Sequence, residues 1–381
     1  MKHIKGLISI GSADLIGLVA AASFWFYLAT EINPSEYGEI SFFIGIATIG
    51  SSLATIGTSN TITVFKAKKE NISTITVISL IGSVIGATIL FFIFNRVDLV
   101  LFLIGVTIFT IGYSTNLGKK EYKKYAIYIL AQKGLVAIFG ILFYHLFGTE
   151  GIILGISLSF FAYIPIIVEI LKEKINLNFL RGNRSFISFN YIHMISNVFD
   201  RQIDKIIIPL FLSFTVLGEY SLGMQILTVL LFLPNIITKY LLPESASRQY
   251  DKGLIRKTII ITIGISLFGI IVLPPIIPIV FEEYVNTTNM IMILSLAVIP
   301  TMITRLYFVK FSAVKKAKHT LFGSIISLFV MILGIVLFGE IFDGVGIAIA
   351  YLLSITAVTI YYIIFNRKME SLGEFNDIKQ N

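Results

Sequence analysis

The chain has no cysteine, one tryptophan and four histidines among 381 residues, and only 14% of its residues are charged. Without thiols there are no disulfides, no thiolate metal sites and no thiol nucleophiles. The histidines never stand at metal-ligand spacing, and there is no GxxxxGK[ST] loop and no HExxH helix. Nucleotide-driven and zinc-hydrolase chemistry therefore have no carrier, and no cofactor or metal is expected. Soluble domains carry about 25% charged residues. A deficit this large, with 56% hydrophobic content and a mean hydropathy of +0.89, excludes a soluble globular domain.

What is present is a succession of twelve apolar runs, at about 7–30, 40–65, 72–94, 98–117, 126–147, 151–171, 188–212, 217–241, 256–280, 288–309, 320–339 and 345–365. Each is near 20 residues without alternation, which predicts membrane helices rather than membrane strands. Lys2 and Lys5 before the first run imitate a secretion signal, but Asp14 interrupts the run and the apolar stretch continues to Leu28, so an uncleaved first span is expected. The expected fold class is an all-α integral membrane protein with about 12 transmembrane helices in two pseudo-symmetric six-helix bundles, 1–175 and 176–381.

Of the 30 Lys and Arg residues, 24 fall at the N-terminus and in alternate connections, against Arg96 alone in the others. Basic connections stay on the inner side, so both termini are expected in the cytoplasm, in a chain lying in the plasma membrane. The net charge of +8 follows this pattern and does not point to nucleic acid. The outward connections are short and acidic. They lack the sizeable domain with which a membrane-embedded glycan enzyme would hold its acceptor, so no enzymatic activity is expected.

Two weak repeats support the two halves. Glu36-Tyr37-Gly38 aligns with Glu219-Tyr220-Ser221 at an offset of 183, and Gly151-Ile-Ile-Leu-Gly-Ile is similar to Gly346-Ile-Ala-Ile-Ala. Parallel repeats of this kind place a substrate site between the halves.

Candidate binding residues are the ionisable and polar groups at membrane depth. The run from Tyr191 to Gln225 places Asp200, Arg201, Asp204 and Lys205 in an apolar span, with Asn197 and His193 on the same face at 100° per residue. Burying such groups is expensive unless they are paired or face water. Two readings stay open: an Arg201–Asp204 ion pair that only locks helices together, or a polar wall of a transport cavity. Asp14, Lys133 and Arg305 lie deep in spans one, five and ten; under the offset of 183, Asp14 corresponds to Asn197. The seven deep charges sum to +1, which suits an anion such as pyrophosphate. In span two, Ser41, Gly45, Thr48, Ser52, Thr55, Ser59 and Thr63 share a face, as close helix packing requires.

The block Asp200-Arg-x-x-Asp-Lys-x-Ile-Ile-Pro-x-Phe-Leu-Ser, then Leu217-Gly-x-Tyr-Ser-Leu-Gly-Met-Gln-Ile and Leu241-Leu-Pro-x-Ser, resembles spans seven and eight of the polysaccharide (O-antigen type) flippases. These belong to the multidrug/oligosaccharidyl-lipid/polysaccharide exporter superfamily. The resemblance implies translocation of a polyprenyl- or dolichyl-phosphate-linked oligosaccharide by alternating access. It implies Arg201, Lys205, Lys133 and Arg305 for phosphate, and Asp14, Asp200, Asp204 and Asn197 for sugar or a coupling cation. Membrane lipids are the other expected partners. The alternative within the superfamily is a cation-coupled multidrug exporter, which favours acidic groups in a mostly apolar cavity.

Overall fold

The computed structural model describes residues 2–56, 58–232, 234, 252–313 and 317–371. Lys239 and the Leu241-Leu-Pro-x-Ser segment lie outside them. All regular structure among the described residues is helical, as it must be where no water is available to satisfy the backbone. In chain order the helices are α1 (Lys2–Glu31), α2 (Pro34–Ala54), α3 (Ser59–Ala67), α4 (Ser73–Phe94), α5 (Val97–Gly118), α6 (Tyr122–Phe147), α7 (Thr149–Phe160), α8 (Ile164–Leu171), α9 (Leu177–Phe211) and α10 (Phe214–Leu230). Then come α11 (Lys252–Ile271), α12 (Leu273–Val280), α13 (Thr287–Leu296), α14 (Val298–Ala313), α15 (Ala317–Gly334) and α16 (Glu340–Ser371). Eight of the described helical segments are long and apolar enough to cross a membrane, or nine if α11 and α12, bent by 48°, form one span. Pro274 and Pro275 open α12 at that bend and remove backbone donors there. The chain is a multi-pass membrane protein.

Two elements differ from the sequence expectation. Span two is not continuous over 40–65: α2 ends at Ala54, and α3 restarts where Thr58 Oγ1 accepts from the Thr61 amide at 3.1 Å. A threonine at the cap position competes with helix continuation. The connection expected at 172–187 is largely helix, because Asn176 Oδ1 accepts from the Phe179 amide and α9 begins at Leu177. Its early apolar residues Phe179, Leu180 and Ile187 pack on the core around Phe65 and Ile62, with Phe65 and Phe179 ring centroids 4.8 Å apart. At 35 residues α9 is about 52 Å long, well beyond the ~30 Å hydrocarbon layer.

The chain divides into two compact units, one of residues 1–28 and 40–202, the other of residues 29–39 and 203–381. In the first, the hydroxyls of span two pack against α5: Thr55 meets Thr107 at 3.2 Å, Ser59 Oγ accepts from Ser114 Oγ at 2.9 Å, and Thr63 donates to the Ser114 carbonyl. Close packing is thus what this stripe provides. Lys66–Glu173 and Lys119–Glu169 ion pairs, 2.9 and 2.7 Å long, tie α3 and α5 to the end of α8. In the second unit, Gly38 lies where a Cβ would overlap the Phe214 carbonyl, and Gly218 where one would overlap the Pro34 carbonyl.

That reciprocal contact corrects the repeat. Gly38 and Gly218 are 180 apart, as are Pro34 and Phe214, so the register is 180 rather than 183. The caps agree: Asn33 Oδ1 accepts from the Glu36 amide at 3.0 Å, and Ser213 Oγ from the Val216 amide at 3.2 Å. Gly-Glu-Ile-Ser at 38–41 then matches Gly-Glu-Tyr-Ser at 218–221, and Asp14 no longer corresponds to Asn197. A second repeat stands as read. Gly151 presses on the Phe143 carbonyl and Gly346 on the Phe338 carbonyl, each eight residues back across a tight helical hairpin. The later hairpin is reached through a π-helical turn, Ile335–Gly339, and through Asp343, a non-glycine residue at φ 47°, ψ −131°. A backbone of that kind costs about 1–3 kcal/mol and persists only where its surroundings hold it.

Candidate functional site

Two helices of the first unit, α1 and α6, bring Asp14, Tyr125 and Lys133 together. The Tyr125 hydroxyl, on the first turn of α6, donates to Asp14 Oδ1 at 3.1 Å. Two turns along α6, the half-buried Lys133 feels the Asp14 charge, and its Cγ lies 3.3 Å from where a Cβ on Gly17 would sit. Glycine at position 17 therefore leaves the lysine stem room against α1. Beside it, Gln132 Nε2 donates to Ser159 Oγ at 3.1 Å in a fully buried layer between α6 and α7. The result is a carboxyl held by a phenol, with an amine nearby.

Along α9 the predicted polar face is real but its groups diverge. Asn197 Nδ2 bonds to His193 Nδ1 at 3.0 Å and to the His193 carbonyl at 2.8 Å, one turn back. Asp200 is half-buried. Asp204 is buried, 5% exposed, in the second unit; its Oδ1 accepts from the Lys205 amide at 2.8 Å and its Oδ2 from the Tyr220 hydroxyl at 3.0 Å. The half-buried Lys205 supplies the neighbouring positive charge. Arg201 is exposed and forms no ion pair with Asp204. The lock read from their i,i+3 spacing is absent because Asp204 is on the buried side of α9, with both oxygens engaged by Tyr220 and the backbone. Arg305 is half-buried on α14 beside Thr304, whose hydroxyl meets that of Thr359 at 2.7 Å.

The structure thus places Lys133 near Asp14, whose carboxyl Tyr125 holds, and Lys205 beside Asp204, whose carboxyl Tyr220 holds; among the described residues no ion pair joins Arg201 to a carboxylate. Both tyrosines escaped the sequence reading as site residues. Tyr220 was legible: α9 and α10 form a hairpin turning at Leu212–Ser213, so residues about equally far from the turn, such as 204 and 220, face each other. Tyr125 carried no comparable signal, since it sits at the end of a basic connection. Among the described residues no group of three or more His, Asp or Glu is arranged to hold a metal ion.

A family model described as polysaccharide biosynthesis protein matches residues 28–288. No curated protein sequence matches the chain. Among solved structures, the chain is similar to the lipid II flippase MurJ in an inward closed conformation, with a TM-score of 0.70 at 14% identity over 96% of this chain and 87% of that one. It is equally similar to a multidrug resistance MATE family transporter of the MOP superfamily facing inward, with a TM-score of 0.70 at 14% identity over 96% of this chain and 98% of the other. A MOP superfamily transporter from Pyrococcus furiosus, noted for reversed polarity of its binding pocket, aligns with a TM-score of 0.59 at 15% identity over 96% of each chain. Likeness at this identity shows a shared fold.

Proposed function

Because the chain belongs to the polysaccharide biosynthesis protein family, which its match over residues 28–288 shows, we propose that it is a flippase for a polyprenyl- or dolichyl-phosphate-linked oligosaccharide. It acts in the cytoplasmic membrane by alternating access, with both termini in the cytoplasm and no chemical step. Arg201 carries this reading. It is a guanidinium, exposed about two thirds of the way along α9, whose nearby carboxylate Asp204 is bound elsewhere. Facing lipid, such a group is very costly; facing water or a phosphate, it is a strong bidentate donor. Lys205, Lys133 and Arg305 add cations, while Asp14, Asn197, Asp200 and Asp204 offer acceptors for sugar hydroxyls or for a coupling cation.

A multidrug exporter shares the fold of the structural neighbours, but four deep cations suit an anionic headgroup better than a cationic drug. Translocation of a fluorescent polyprenyl-pyrophosphate oligosaccharide in proteoliposomes tests the choice. Arg201→Ala is expected to abolish translocation while the protein remains folded and membrane-inserted. Undiminished translocation by that variant would sink phosphate recognition at this position.

A further inference from the structure

Glu219 is 4% exposed, on the second turn of α10. Asn286 Nδ2 donates to its Oε1 at 2.8 Å, and Thr287 Oγ1 donates to its main-chain carbonyl at 3.1 Å. The charges and titratable groups around it are anionic or phenolic. Asp343 acts on it from the start of α16, and Tyr284 from the turn before α13. Tyr284 in turn faces Glu283 and Glu36, and donates its own hydroxyl to the Ile32 carbonyl at 2.9 Å. Among the described residues no Lys, Arg or His pairs with Glu219. Asp204, also buried, has Lys205 beside it, whereas the charge that acts on Glu219 is that of Asp343.

The second carboxylate is exposed, on a backbone held in place. Asp343 occupies a backbone conformation that L residues rarely adopt, between the π-helical turn and Gly344, where the Met290 side chain fills the place a Cβ would take. A buried anion with no cation beside it is unfavourable, so the closed arrangement calls for a neutral acid. We propose that Glu219 is a proton-binding site of the transport cycle, occupied while the Asn286 and Asp343 connections pack over α10 and vacated when they part. This rests on the transport reading above, to which it adds the chemical nature of a coupling partner and the residue that takes it. Stability of the packed arrangement is then full at low pH, where the acid is neutral in either state. It falls as pH rises past the value at which the solvated carboxyl ionises.

Hydrogen exchange of the full chain in lipid nanodiscs, followed across about pH 5–9, tests the site without any transport assay. Segments 281–290 and 340–347 are expected to lose protection as pH rises. Glu219→Gln keeps an acceptor for Asn286 and is expected to stay protected throughout. Asp343→Asn is expected to make the loss smaller without moving its onset, because the buried anion no longer meets a second carboxylate while the solvated carboxyl is unchanged. Protection that ignores pH in the unaltered protein, or a Glu219→Gln variant that loses protection as the parent does, would overturn the proposal. So would protection restored by sodium ions at fixed high pH, which would make a metal cation the occupant. Oligosaccharide-lipid translocation by the same proteins separates the two readings: an inactive parent refutes transport and leaves the exchange result standing, whereas Glu219→Gln in an active parent is expected to erase the pH dependence of translocation.

Discussion

Asp204 and Arg201 stand three residues apart on one helix, and their environments could hardly differ more. Asp204 is buried with a phenol and a backbone amide on its oxygens, and Arg201 is exposed. A double-mutant cycle of Arg201→Ala and Asp204→Ala is therefore expected to give a coupling energy below about 0.5 kcal/mol in thermal melting, the value for groups that do not interact. Tyr220→Phe keeps the ring but leaves Asp204 Oδ2 without its donor, and is expected to cost about 1–3 kcal/mol, read as a lowered melting temperature in detergent. The sequence singled out these charges because charge in an apolar run is conspicuous. The Arg201–Asp204 pair that it left open is not formed, because i,i+3 spacing reports neighbours along a helix and says nothing about which side of that helix is buried. The donors were harder to see: a tyrosine at a helix end is ordinary until its carboxylate partner on another helix is known.

Among the elements, the helix starts at Pro34 and Phe214 carry the clearest internal symmetry, each glycine resting on the other's first carbonyl. Gly218→Ala and Gly38→Ala would each insert a methyl into a backbone contact, where overpacking costs about 1–3 kcal/mol or more. Gly134→Ala on α6, with nothing within 4 Å of the added carbon, serves as the comparison. It is expected to leave melting unchanged or raise it slightly, since alanine favours helix over glycine by about 0.5–1 kcal/mol. The sequence aligned these starts by their tyrosines and slipped three residues, whereas the capping side chains Asn33 and Ser213 and the two glycines set the true register. Span lengths were legible to within a few residues wherever apolar composition alone decided them. They failed at Thr58 and Asn176, where a single cap ends one helix or begins another.

For the molecule as a whole, the asymmetry of 24 basic residues against one remains the strongest determinant of orientation. Reporters fused after Gly118 or Lys252 are expected to be cytoplasmic and those at Glu36 or Glu283 external; a reversal at any of the four would dismantle the twelve-span arrangement. The division into units at residues 202 and 203, inside a continuous helix, had no sequence signal, since composition does not change there. That same helix bears on how the chain is made. Leu177–Phe211 is not among the eight segments apolar enough to cross unaided, and the donor that satisfies Asp204 lies on the following helix. A nascent chain that has emerged only through Phe211 thus offers the insertion machinery a segment with a stranded carboxylate, and the membrane has little reason to keep it. Once the ribosome has released Tyr220, the two helices can enter as a pair. Chains truncated after Phe211 are accordingly expected to leave this segment outside the bilayer, and chains extended past Leu230 to retain it, a difference that glycosylation-site mapping of insertion intermediates would register.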